Sequence, residues 1–162
     1  MKRDLVHSLK MSTFKKFLYQ IYQLQWLVTR PVTLGVRVLL IKDGQVLLVK
    51  PSYQDGWYFP GGAVNRHETL EQAARREAKE ETGADLGTLD FFGAYTLYFH
   101  WKSDHIMLFT CTDFTVTGES DFEIEQCRLF PLEALPVDLA AGHRRRIQEY
   151  LAGETHPRFG LW

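Results

Sequence analysis

Apolar residues recur along this chain with two different periods, and the points where the period changes mark its elements. From Thr33 to Ile41 the residues are apolar or β-branched, Asp43-Gly44 is a hairpin-turn dipeptide, and Val46 to Val49 reads as the returning strand. Two longer strand-type runs follow, Thr88 to Phe99, interrupted by Gly93, and Ile106 to Val116. The polar turn Lys102-Ser103-Asp104 joins them, and they are expected to pair. A helical period governs Thr69 to Thr82 and again Leu139 to Leu151, with Pro131 to Leu135 as a short helical turn between. Near the N-terminus, Phe14, Phe17, Leu18, Ile21, Leu24 and Val28 keep the same period. The order predicts an α/β fold with helices on both faces of a mixed central sheet.

The helix over 69–82 carries the chemistry. Thr69 with Gln72 makes a capping box at its start, and Gly83 is placed to end it. Leu70, Ala73 and Ala74 form its apolar stripe, but the continuation of that stripe meets Glu77, Glu80 and Glu81. Like charges one turn apart cost roughly 0.2 to 0.5 kcal/mol per pair. Anions in a last turn also oppose the helix dipole. A divalent cation removes both penalties, because carboxylate oxygens are the preferred ligands of Mg²⁺ and Mn²⁺. Ahead of the helix, Trp57-Tyr58-Phe59-Pro60-Gly61-Gly62 leads into a double glycine that lets the backbone bring a carbonyl close to the acids.

These residues resemble the Nudix box, G-x5-E-x7-R-E-U-x-E-E-x-G-U, whose fixed positions are filled here by Gly62, Glu68, Arg76, Glu77, Glu80, Glu81 and Gly83. The two U positions hold the small residues Ala78 and Ala84. The resemblance implies a Nudix-type α/β/α sandwich and places catalysis on Glu77, Glu80 and Arg76. It implies a Mg²⁺ site, with Mn²⁺ as the alternative, drawn from Glu77, Glu80, Glu81 and the Gly61 or Gly62 carbonyl. One box glutamate would activate water, and which one stays open. Gly62, Glu68 and Gly83 would support the site. A fourth acid from a later loop is implied in Asp121 to Glu125, with Glu123 first and Glu125 second. Leu129 stands where relatives commonly carry a Trp.

For substrate contacts the candidates are Trp57 and Tyr58, as stacking surfaces beside the box loop, and Arg37, as a phosphate contact within a strand. Lys50 is a second such cation. His67, His100 and His105 have no metal-ligand spacing.

At 162 residues the chain is long enough for one domain and too short for two ordinary ones. We expect an amphipathic extension over residues 1–30, a Nudix domain over 31–153 and a tail over 154–162. A formal net charge of −1 argues against a broad nucleic-acid footprint, so the expected partner is a small nucleotide-type molecule and no nucleic acid. The extension suits packing on its own domain or in a homodimer better than peripheral membrane contact through residues 13–28. Cys111 and Cys127 lack CxxC spacing and read as buried free thiols, which fits the cytoplasm.

The resulting expectation is a Mg²⁺-dependent hydrolase that cleaves a pyrophosphate bond in a nucleoside diphosphate derivative, such as a nucleoside triphosphate or a nucleotide sugar. Two alternatives stay open, a Nudix-like nucleotide-binding module without turnover and a hydrolase of a lipid-linked diphosphate.

Overall fold

A computed structural model describes residues 30–99, 101–153 and 157–162. Its elements run β1 (Val32–Lys42), β2 (Gln45–Pro51), α1 (Leu70–Thr82), β3 (Ala84–Leu86), β4 (Asp90–Phe99), β5 (Lys102–Cys111), β6 (Phe114–Val116), β7 (Ile124–Pro131), α2 (Ala141–Leu151) and β8 (Arg158–Leu161). The helical stripe over 13–28, the 1–30 extension up to residue 29 and His100 lie outside the described residues.

Six strands form one mixed sheet in the order β7-β2-β1-β5-β4-β8, while β3 and β6 pair by themselves. Asp43 and Gly44 both take positive φ, 51° and 72°, which is what the two-residue turn between β1 and β2 requires. Alternation along β1 sends Val36, Val38 and Leu40 to one face, where they pack with Ala73 and Ala74 of α1. Leu39 and Ile41 go to the other face and meet Phe59, Ile147 of α2 and Trp162. With both faces covered, β1 and β2 read as continuous apolar runs rather than as alternating ones.

Several boundaries differ from the sequence reading. The run expected over 106–116 breaks at Thr112-Asp113, where the Gly87 N–H donates to the Asp113 carbonyl at 2.6 Å and the chain leaves the main sheet for β3. Lys102 to Asp104 belong to β5 instead of a turn, and Trp101, at φ 67°, takes the turn conformation. Glu125 lies in β7, which pairs antiparallel with β2 along its length. Residues of the C-terminal tail join the sheet as β8, parallel to β4. Trp162 follows into the core under Gly142, where a Cβ would strike its indole.

Leu34–Leu97 and His105–Trp162 make one compact unit, while Tyr98–Asp104 fall in a second with the segment ending at Thr33. Within the second, the Ser103 N–H donates to the Pro31 carbonyl at 3.1 Å and Thr33 Oγ1 to Asp104 Oδ1 at 2.5 Å. Among the described residues no helix is long and apolar enough to cross a membrane.

Candidate active site

The angular position of each acid follows from where α1 starts and stops. Thr69 Oγ1 accepts from the Gln72 N–H at 3.2 Å and Gln72 Oε1 from the Thr69 N–H at 2.9 Å, so both halves of the capping box are made. At the other end Gly83, at φ 69°, donates to the Lys79 carbonyl at 2.9 Å and lies against Gly118 too closely for any side chain. Ala78 and Ala84 are fully buried, so the small residues at those positions match tight packing. Glu77 and Glu81, one turn apart, face inward.

Glu80 does not join them. Its side chain is 47% exposed against 13% for Glu77, because one residue fewer than a full turn rotates it toward Arg76.

Arg76 is the hub of this helix face. Its guanidinium grips both oxygens of Glu68 at 2.7 and 3.0 Å and donates to Glu77 Oε1 at 2.7 Å, Glu80 Oε2 at 3.0 Å and the Ala63 carbonyl at 3.1 Å. The Arg76 hydrogen bonds and the Asn65 N–H hold the Glu68 carboxyl down at about 2. The same bonds raise Arg76. Glu68 and Arg76 thereby tie the glycine loop to the helix.

That loop runs antiparallel to β1. The Val38 N–H donates to the Pro60 carbonyl and the Val36 N–H to that of Gly62, both at 2.9 Å. The Gly62 carbonyl is therefore committed to the backbone. Gly61 holds φ at 139°, its N–H donates to Glu81 Oε2 at 2.8 Å, and its carbonyl accepts from Arg37. A Cβ on Gly62 would stand 2.6 Å from Glu77 Oε1, so glycine is what admits that carboxylate. Behind the loop, the Phe59 N–H donates to His143 Nδ1 at 3.0 Å, which puts the imidazole proton on Nε2.

Burial pushes the Glu81 carboxyl up to about 7 against the pull of the Gly61 N–H and Arg37, and the charges of Glu77 and Glu123 push the same way. Glu77, Glu81, Glu123 and Arg37 thus share one electrostatic site. Glu125 stays outside it, 4.0 Å from Lys50. Among the described residues no three His, Cys, Asp or Glu side chains are already gathered as a metal cage. Arg76 bridges Glu77 and Glu80, and Arg37 holds the Gly61 carbonyl.

Trp57 and Tyr58, expected as substrate contacts, are turned away. Trp57 is in the core on the α2 side of the sheet, edge-on to Phe130 at 4.7 Å, and Tyr58 sets its ring against His143 and its hydroxyl on the Asp55 carbonyl at 2.6 Å. The backbone causes this, because Tyr58 pairs with Val49 as a strand does and swings the aromatic run across the far face. Two residues escaped the sequence reading. His143 sits at an apolar position of α2, where an imidazole passes for core. Tyr53 follows β2 in a loop with no periodic signal, yet its hydroxyl, raised chiefly by burial, feels Glu81, Arg37, Glu123 and Glu77.

The family model described as the NUDIX domain matches residues 31–150. The chain belongs to the Nudix family. Among solved structures the Nudix fold recurs in a MutT NUDIX hydrolase from Burkholderia pseudomallei, at a TM-score of 0.65 and 24% identity over 73% of this chain and 97% of that one. It recurs also in a NUDIX hydrolase from Nitrosomonas europaea, at 0.65 and 23% identity over 80% of this chain and 78% of that one. Curated relatives include an RNA pyrophosphohydrolase of Hydrogenovibrio crunogenus, 44% identical over 56 residues, which are 35% of this chain and 34% of that protein. Another, from Stenotrophomonas maltophilia, is 38% identical over 65 residues, 40% of this chain and 32% of that protein. The matched segment spans about a third of the length of these relatives. Their names overturn the expectation that nucleic acid plays no part in this Nudix protein. Net charge bears on a broad backbone footprint and does not exclude a local contact with nucleic acid.

Proposed function

We propose that this Nudix protein hydrolyses a pyrophosphate bond in a nucleoside diphosphate derivative, with the phosphorylated 5′ end of an RNA included in the substrate class. The observation that carries the reading is the carboxylate pair Glu77 and Glu81, turned inward onto the Gly61-Gly62 loop with Glu123 in the same field. A hydrolase that works on phosphoanhydrides has a use for that much negative charge in one place. A module that binds an anionic nucleotide without turnover has none.

The donor set fits Mg²⁺ or Mn²⁺. It offers hard oxygens alone, and the five carboxylates of Glu68, Glu77, Glu80, Glu81 and Glu123 outnumber the guanidinium groups of Arg37 and Arg76. Glu77, Glu81, Glu123 and the Gly61 carbonyl would hold the ion, with Glu80 joining once released from Arg76. Bound there, a divalent cation would neutralise phosphate charge and lower the pKa of water. Arg76 orients Glu77 and Glu80, Glu68 fixes Arg76, and Gly61 positions Glu81 through its N–H. Arg37, next to the same carbonyl, is the cation within reach of a phosphate. The free thiols Cys111 and Cys127 support a reducing, cytoplasmic setting.

The deciding experiment is a panel of nucleoside triphosphates, nucleotide sugars and 5′-triphosphorylated RNA oligomers, assayed with Mg²⁺ or Mn²⁺ in ¹⁸O-labelled water. Phosphate, pyrophosphate or nucleotide release carrying the label, lost in Glu81→Gln, is the expected result. Tight nucleotide binding without turnover across the panel would overturn it.

A further inference from the structure

With Trp57 and Tyr58 committed to the far face, the box loop offers no ring to the substrate, and two other aromatic residues flank the acids. Tyr53 is 62% exposed and Phe122 is 89% exposed. Such exposure is ordinary for single apolar residues, so the weight falls on where these two stand.

Backbone ties fix where both stand. The antiparallel pairing of β2 with β7 reaches Pro51↔Ile124, and the Ser52 N–H donates to the Glu123 carbonyl at 2.8 Å just beyond it. Tyr53 is the next residue on one side and Phe122 the next on the other, so both rings leave the same end of one pairing. The loop with Phe122 is also bound to the end of α1, where the Asp121 N–H donates to the Glu80 carbonyl at 2.8 Å, and it is closed by the Ile124 N–H on the Asp121 carbonyl at 3.0 Å. Glu123, between Phe122 and β7, lies in the field of Glu81. The other exposed aromatic residues of this unit, Phe91 and Phe159, belong to β4 and β8 at the opposite edge of the sheet.

We propose that Tyr53 and Phe122 form an aromatic clamp that stacks the base of the nucleoside whose phosphates lie on the carboxylate site. The inference rests on the hydrolase reading above and adds to it the part of the substrate that is recognised. A base joined through one ribose to a phosphate at Glu81 and Glu123 falls at the mouth these two loops make, and every base has a face to stack, so the clamp selects nucleosides over other diphosphates without choosing among bases.

The test compares Tyr53→Ala, Phe122→Ala and the double variant with wild type on a nucleoside triphosphate and on ribose 5-triphosphate, which has the same phosphates and no base. Each single variant is expected to raise KM for the nucleotide about tenfold, within the range for losing one stacked face, with kcat moved far less. KM for ribose 5-triphosphate is expected to rise far less than KM for the nucleotide. Tyr53→Phe and Phe122→Tyr, which keep the faces, are expected to restore nucleotide KM. An unchanged nucleotide KM in the double variant, or equal losses on both substrates, would overturn the clamp. So would a failure of Tyr53→Phe to rescue, which would assign Tyr53 to its hydroxyl. The hydrolase reading and the clamp fail separately. If wild type turns over no phosphoanhydride, quenching of 2-aminopurine riboside 5′-triphosphate fluorescence by wild type and not by the double variant still supports stacking, and absence of quenching refutes it.

Discussion

Replacing His143 tests whether the glycine loop is held from behind. The imidazole is buried among Phe59, Tyr58 and Trp162, and its Nδ1 is the acceptor for the Phe59 N–H, two residues before Gly61. Burial, with a smaller push from Arg37, holds its pKa well below 6.5, so it stays neutral in the fold while the unfolded chain takes up a proton as pH drops. The unfolded state then binds more protons, and stability must fall with pH below about 6.5, by up to about 1.4 kcal/mol per pH unit. Between pH 7 and pH 5 this amounts to about 2 kcal/mol. For a chain of this size that lowers Tm by about 4 to 8 °C. His143→Asn keeps an acceptor for Phe59 and removes the titration, whereas His143→Phe removes both and leaves that N–H unsatisfied, at about 1 to 3 kcal/mol. Calorimetry of all three proteins across this pH range, metal-free, isolates the effect in the difference curves because other groups cancel. The Asn variant should lack the acid loss that wild type shows, and the Phe variant should be destabilised at every pH and lose activity as Gly61 drifts. A wild-type-minus-Asn difference that is flat with pH would refute the neutral buried imidazole.

Gly62→Ala should displace the Glu77 carboxylate, since the new Cβ would lie 2.6 Å from its Oε1, and isothermal titration should show weaker Mn²⁺ binding with little change in Tm. Removal of Glu81 is expected to be more damaging than removal of the exposed Glu80, so Glu81→Gln should lower kcat by about two orders of magnitude or more and Glu80→Gln by less, in steady-state assays. Glu68, held at about 2 by Arg76, stabilises the fold above the ordinary carboxylate pKa and loses that contribution as pH falls toward 2, so acid titration of Glu68→Gln should show a shallower late transition than wild type. Trp162→Ala empties a site lined by Phe59, Tyr95 and His143 and should cost about 3 to 5 kcal/mol in denaturant unfolding.

Local interactions made much of this protein readable before any fold was known. The capping box at Thr69, the left-handed stop at Gly83 and the 3.6-residue period between them set the faces of α1, so the inward turn of Glu77 and Glu81 follows from spacing alone. The Asp43-Gly44 turn was equally legible, because its positive φ values are the property of two adjacent residues. The same helix geometry turned Glu80 outward, onto Arg76 one turn before it. Long-range pairing decided the rest. Tyr58 was carried off the site by pairing with Val49 and Trp57 by pairing with Leu139, Tyr53 and Phe122 were brought beside it by the β2 and β7 register, and the last residues became a strand because β4 offered an open edge. A residue's neighbours along the chain set its dihedral angles and its side of a helix. Which distant groups share its cleft depends on strand register and layer packing, whose loop-closure cost and burial are properties of the whole chain.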